Sequence, residues 1–407
     1  MKVKYFFRTV VFFITVIYFF ACEKISNAAT EIAIMSQSAA IYPSYNESPK
    51  APDQTGMSSN AVQLAAKMKL GWNIGNTMES PGGEGGWGNP KITESYVKFL
   101  KQTGFNAVRL PCSWDWHHLS DRSKAKIDPT WLNRVKEVVQ YCVNNDMYVL
   151  LNIHWDGGWL DQNINQLKKD SVNAKQKALW EQIATTMRDF DEHLMFASAN
   201  EPPAENAEQM AILNSYHQTF INAVRSTGGK NSYRVLVVQG PGTDMDKTNN
   251  LMNTLPKDQV PNRMMVEVHN YTPSQFTIIE GDASWGKMFY YWGAGHHSTI
   301  QPDRNPTWGE ESEHLRVYGL MKAKFIDKGI PVIMGEYGAY RRGGSNNVPL
   351  DLPTHNDAVD YWNTYVTKQA IQFGLKPFFW DTGGALDRMN NKVLDQRTID
   401  ALIAGSK

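Results

Sequence analysis

The amino-acid sequence predicts a (β/α)8 barrel, and three observations carry the prediction. Short apolar runs alternate with amphipathic stretches from about residue 57 onward, eight times in all. The runs are continuous in apolar residues, as expected of parallel strands buried on both faces. Eight such units in roughly 350 residues suit a closed α/β barrel, a single TIM-barrel domain with long βα loops. An open doubly wound sheet is the competing arrangement, but no G-x-G-x-x-G follows the first run.

The eight runs are LGWNIG (70–75), NAVRLP (106–111), MYVLLNIH (147–154), LMFASA (194–199), RVLVVQG (234–240), RMMVEVH (263–269), IPVIMGE (330–336) and KPFFW (376–380). Helical patterns lie between them, such as TESYVKFLKQTG (93–104), WLNRVKEVVQYCVNND (131–146) and YWNTYVTKQAIQFG (361–374), closing on Gly or Asp. Before the barrel, residues 23–56 are rich in Ser, Ala, Asn and Pro and read as a mobile tether. Residues 1–22 read as a signal peptide: Lys2, Lys4 and Arg8 precede an apolar run too short to span a bilayer comfortably. The run ends at Ala21–Cys22, which resembles a bacterial lipoprotein processing site with Cys22 as the lipidated residue. Cleavage after Ala28 is the alternative. The first reading implies an exported protein held at an outer-membrane or cell surface by lipid; the second, a secreted or periplasmic one.

Formal net charge is zero, which excludes the basic excess of a typical nucleic-acid binder. Cys112 and Cys142 have no metal-like spacing and read as buried small side chains. No metal or cofactor is expected, and the chain is expected to be a monomer.

In a barrel of this kind, chemistry gathers where strands end and βα loops begin. Arg109, His154, Asn200, Glu201, His269, Tyr271, Glu336 and Trp380 fall at such ends, on six strands. Glu201 and Glu336 close the fourth and seventh strands, positions that a barrel brings across one mouth. Paired carboxylates there suit glycoside hydrolysis, one acting as acid and the other as nucleophile. Arg109 would keep Glu336 charged, Asn200 would bind a sugar hydroxyl and hold Glu201, and Trp380 offers a flat face to a sugar. Loops after the first, third and sixth strands carry Trp87, Trp155, Trp159, Trp285 and Trp292, which suit the apolar faces of sugars, although some would only pack the loops down. Asn76, Trp114, His117 and Trp308 are further candidates for the substrate cleft.

The chain resembles glycoside hydrolase family 5 through an ordered set of motifs: GWNIGNT, GFNAVRLP, NIHWDGGW, ANEP, VHNYTP, IPVIMGEYG and PFFWDTGG, spanning about 70–385. The resemblance implies a retaining enzyme with Glu201 as acid/base and Glu336 as nucleophile, supported by Arg109, His154, Asn200, His269, Tyr271 and Trp380. GWNIGNT and the loop at 284–293 look most like subfamily 4, whose members cut β-1,4-glucans, among them soluble cellulose, mixed-linkage glucan and xyloglucan. Trp155 stands where many relatives carry a second His, and with the following DGGW it resembles xyloglucan-active members from gut and rumen Bacteroidetes. The β-glucan polysaccharide is therefore the expected partner. Three alternatives stay open: an endo-β-1,4-mannanase on the same fold, a metal-dependent hydrolase using His154 and His269, and a non-catalytic glycan-binding lipoprotein.

Overall fold

The computed structural model describes residues 41–343 and 347–407. Eight parallel strands close into a barrel: β1 Gly71–Ile74, β2 Ala107–Leu110, β3 Tyr148–Asn152, β4 Leu194–Ala197, β5 Leu236–Gln239, β6 Met264–Asn270, β7 Val332–Tyr337 and β8 Lys376–Asp381. Each neighbours the next in sequence, and β8 pairs with β1. A helix follows every strand: α1 Glu94–Thr103, α2 Pro129–Asn144, α3 Lys169–Met187, α4 Ala207–Ser226, α5 Met245–Leu251, α6 Glu311–Lys324, α7 Leu352–Phe373 and α8 Gln396–Gly405. Local chemistry sets their ends. Thr93 Oγ1 accepts from the Tyr96 N–H to open α1, and Gly104, at φ 114°, closes it in a conformation that favours glycine. Helix α7 starts at Leu352, earlier than its apolar spacing predicts, because Asp351 caps it and Pro353 stands in its first turn.

Strand side chains alternate between two cores. Trp72, Val108, Val149, Phe196, Val238, Val268 and Met334 point outward into the layer under the helices. Ala107, Leu150, Met195, Ala197, Val237, Met265, Ile333 and Phe378 fill the barrel interior. Large meets small there: the Phe378 ring occupies the space that a Cβ on Gly71 would need. The helix Ala61–Lys67 plugs the lower end through Leu64 and Ala65. One step up the barrel, inward positions turn polar with Asn73, Arg109, Gln239 and Glu267, all fully buried. This layer is the floor on which the mouth is built.

The tether expectation is corrected at its C-terminal end. Ser44–Lys407 form one compact unit. Lys50–Pro52 pair as a short parallel strand with Gly228–Gly229, the Tyr45 N–H donates to Glu181 at 2.6 Å, and Arg188 donates to the Ser48 carbonyl at 2.7 Å. Backbone hydrogen bonds thus fix a stretch whose composition alone suggested mobility. The signal segment, Cys22 and residues 23–40 lie outside the described residues. Among the described residues, no helix is long and apolar enough to cross a membrane.

Candidate active site

Arg109 is the hub. Its guanidinium, fully buried, donates from Nε to Glu267 (2.8 Å), from Nη1 to Asn73 (3.0 Å) and Glu336 (2.7 Å), and from Nη2 to Asn200 (2.7 Å). A buried cation requires such partners, and these are charge-assisted or fully directed. Because the Asn200 carbonyl oxygen faces Arg109, its amide N–H2 is left for the mouth.

Glu336 reaches the mouth through a defect in β7. Against both β6 and β8 the register of β7 slips by one residue between Met334 and Tyr337. The extra residue turns Glu336 inward, where strict alternation from Met334 would point it outward. Gly335 precedes it for a steric reason: a Cβ there would overlap the Glu267 carboxylate. Register then places Glu336 beside His269 on β6. Glu336 Oε1 accepts from Arg109 and Oε2 from the Tyr271 hydroxyl at 3.0 Å.

Glu201, just past β4, keeps 44% of its side chain exposed. His269 Nδ1 bonds it at 2.7 Å, and Nε2 reaches Glu267 at 3.3 Å. His269, and not Asn200, is therefore the group that holds Glu201. Ligand atoms of Glu201, His269 and Glu336 lie within 4.8 Å of one another. That spacing would suit a divalent ion. Both His269 nitrogens face carboxylate oxygens, and the imidazolium form, which donates from both, satisfies the two bonds at once.

The charges are coupled. Burial alone would lower His269, but Glu336, Glu201 and Glu267 push it up to about 9. Burial is also the largest influence on Glu201 and raises it; the hydrogen bond and charge of His269, with Arg109, outweigh it and leave that carboxyl below its ordinary value. Burial, reinforced by the charge of Glu201, leaves Glu336 above its ordinary value although His269 and Arg109 oppose it. Burial raises the Tyr271 phenol, as do the two carboxylates, so it stays a donor. His154 is held neutral, well below 6.5, by burial and by Arg109.

Beyond the carboxylates, His154 and Trp380 lie parallel at 5.8 Å, and Trp380 packs over Gly75. Asn76 adopts φ 56°, and its N–H and that of Thr77 are held by Glu79, whose carboxyl burial pushes up to about 7. Trp155 and His117 are exposed at the rim. On the other side of Glu201, a cavity of about 330 Å³ is lined by Met245, Asp246, Tyr271, Trp308 and Glu313.

Two expected sugar contacts are corrected. Trp292 is fully buried, with Nε1 donating to Gly309 and the ring packed against His314 and Trp362. It ends the run Met288–Trp292, all buried, which packs the loop after β6 onto the barrel. Trp114 is likewise buried, its Nε1 bonded to the Asn152 carbonyl. The residues missed in sequence are Glu267, Gln239, Asn73 and Trp116. Glu267, Gln239 and Asn73 had a signal, since each interrupts an apolar strand at an inward position.

Comparison with known proteins agrees with this geometry. The family model described as Cellulase (glycosyl hydrolase family 5) matches residues 72–385. A xyloglucan-specific endo-β-1,4-glucanase of Bacteroides ovatus is 34% identical over 93% of this chain and 77% of its own length. An endoglucanase A of Paenibacillus barcinonensis is 30% identical over 92% of this chain and 96% of its own length. Among solved structures, a family 5 xyloglucanase of Bacteroides ovatus in complex with a heptasaccharide superposes with a TM-score of 0.82 at 33% identity, covering 89% of this chain and 80% of that one. A xyloglucan-specific β-1,4-glucanase from a ruminal metagenomic library gives 0.78 at 38% identity, covering 86% and 96%. With its barrel, its paired carboxylates and a match across most of its length, the chain belongs to glycoside hydrolase family 5.

Proposed function

We infer that the protein is a retaining endo-β-1,4-glucanase that cuts internal bonds of plant β-glucans, xyloglucan among them, with Glu336 as nucleophile and Glu201 as acid/base. One observation carries the mechanism: two carboxylates with oxygens within 4.8 Å, one beside a permanent cation and the other beside a charged imidazole. Retaining enzymes hold their carboxyl groups about 5–5.5 Å apart, whereas inverting ones need about 6.5–9.5 Å to admit a water.

Before substrate binds, the mobile proton rests on His269, whose pKa is pushed up to about 9. A glycan that covers the exposed side of Glu201 removes water from it, which favours its neutral form. The proton then passes from Nδ1 to the carboxylate along the existing 2.7 Å hydrogen bond. Glu201 delivers it to the glycosidic oxygen while a Glu336 oxygen attacks the anomeric carbon. The leaving chain occupies the cavity that Glu201 shares with Asp246 and Trp308. In the second step Glu201 takes a proton from water, which releases the sugar from Glu336. Arg109 keeps the departing carboxylate charged, and the free amide of Asn200 is placed to bind a sugar hydroxyl.

The relatives are glucanases, which weighs against a mannanase on the same fold. Sizing the products from soluble β-glucans over time tests the reading. Xyloglucan and barley glucan should shorten from internal cuts; hydrolysis confined to mannans would overturn it. We further propose that the enzyme is exported and lipid-anchored at Cys22. A Cys22→Ser chain recovered in the membrane fraction as fully as the wild type would refute that anchor.

A further inference from the structure

Asn270 ends β6, one residue before Tyr271, and shares the outward side of that strand with Val268. An amide buried in the layer under the helices costs free energy unless its polar atoms are paired. Here all of them are. Oδ1 accepts the Thr272 N–H at 3.2 Å, which closes a turn around Tyr271. That bond fixes which end of the amide is nitrogen. Nδ2 donates to His314 Nδ1 (3.0 Å) and to the Tyr318 hydroxyl (2.5 Å), both on α6. His314 is fully buried, and burial pushes its imidazole down to about 4, so it is neutral and Nδ1 can accept. The Tyr318 hydroxyl in turn donates to Met334 Sδ at 3.5 Å, two residues before Glu336 on β7. One buried amide thus ties the upper ends of β6 and β7 to a single helix.

The backbone around Tyr271 is held from other sides as well. Thr277 Oγ1, in the short helix Ser274–Thr277, donates to the Tyr271 carbonyl at 2.5 Å. Trp362 Nε1, on α7, donates to the Thr272 carbonyl at 3.1 Å. This bracing matters because of what the Tyr271 side chain does. Its hydroxyl donates to Glu336 Oε2 at 3.0 Å, while Arg109 holds Oε1. The phenol oxygen stands at the far end of a long side chain. A small rotation of the Tyr271 backbone therefore takes it out of hydrogen-bond range of the carboxylate.

We propose that Asn270, anchored by His314 and Tyr318, is a positioning residue for the reaction, setting the Tyr271 hydroxyl against the nucleophile Glu336. Asn270 acts through Tyr271. With the turn closed, the phenol stays on Oε2 as the carboxylate attacks the anomeric carbon and as it departs again. With the turn open, Glu336 keeps Arg109 but loses its second donor, and both steps slow. This inference rests on the endoglucanase reading above, with Glu336 as nucleophile.

The test is a double-mutant cycle in kcat and KM on barley glucan, with urea unfolding as the control for folding. In the wild-type background Asn270→Ala should cut kcat about tenfold and change KM less than about twofold, as a misplaced catalytic group does. In a Tyr271→Phe background the same substitution should change kcat less than about twofold, because the bond it positions is already gone. Equal falls in the two backgrounds, a rise in KM with kcat unchanged, or no change in either would overturn the proposal. If Asn270→Ala does not fold, Tyr318→Phe carries the same test, since it keeps the ring and removes only the hydroxyl. It should cut kcat about threefold in wild type and leave Tyr271→Phe unchanged. Wild type inactive on every β-glucan would overturn the endoglucanase reading; wild type active, with independent effects in the cycle, would overturn the positioning role alone.

Discussion

His269→Gln tests the charge arrangement of the site through stability as well as catalysis. His269 bonds Glu201 and Glu267 and stands 3.8 Å from Glu336, with only 4% of its side chain exposed. Its pKa is pushed from 6.5 to about 9 in the folded chain. A raised folded value means that the native state holds this proton more tightly than the unfolded state. The stabilisation is therefore fully present below about pH 6.5 and is lost as pH rises through about 9. At about 1.36 kcal/mol for each tenfold change in proton affinity, the loss is on the order of 3 kcal/mol. Urea unfolding of wild type and variant at a series of pH values measures it. Wild type should lose on the order of 3 kcal/mol between about pH 6 and 9.5, and the variant, which keeps a donor to Glu201 but no titrating charge, should lose far less. Equal losses in the two proteins would refute the assignment of the charge to His269.

Two further substitutions separate chemistry from packing. Glu201→Ala should cut kcat by about 10²–10⁴ on polysaccharide, and much less on an aryl glycoside whose leaving group needs no proton; comparing the two substrates in one assay checks it. Trp292→Ala should destabilise the fold by about 3–5 kcal/mol while leaving KM for barley glucan within about twofold, because the ring is buried away from the cleft.

The barrel was legible in the sequence because parallel strands buried on both faces leave continuous apolar runs, and all eight runs became strands. Strand ends pointed to Glu201, Glu336, Arg109 and His269 for the same reason, since polar groups at those positions have only the mouth to face. The interior polar layer was harder to see. Glu267 sits two residues before His269 on the same inward face, but apolar neighbours hid it inside RMMVEVH. The slip in β7 that turns Glu336 inward exists only in the pairing of three strands, and one strand's sequence does not encode it locally. Trp292 departs from the expected sugar contact because its loop packs onto the barrel. The unbroken run of Met288–Trp292 is the pattern of a packed segment, not of a rim. Trp116 and Trp155 meet edge to face beside Asp156, which accepts the Trp116 N–H, a contact between residues forty positions apart.

The most direct test of the two-carboxylate account is the mass of the peptide containing Glu336 after reaction with a 2-deoxy-2-fluoro-β-cellobioside bearing a good leaving group. The account predicts one fluorocellobiosyl group attached to Glu336 as an ester, since the slowed second step leaves the covalent intermediate in place. A label on another residue, or turnover of the reagent with no covalent adduct and an inverted product, would contradict it.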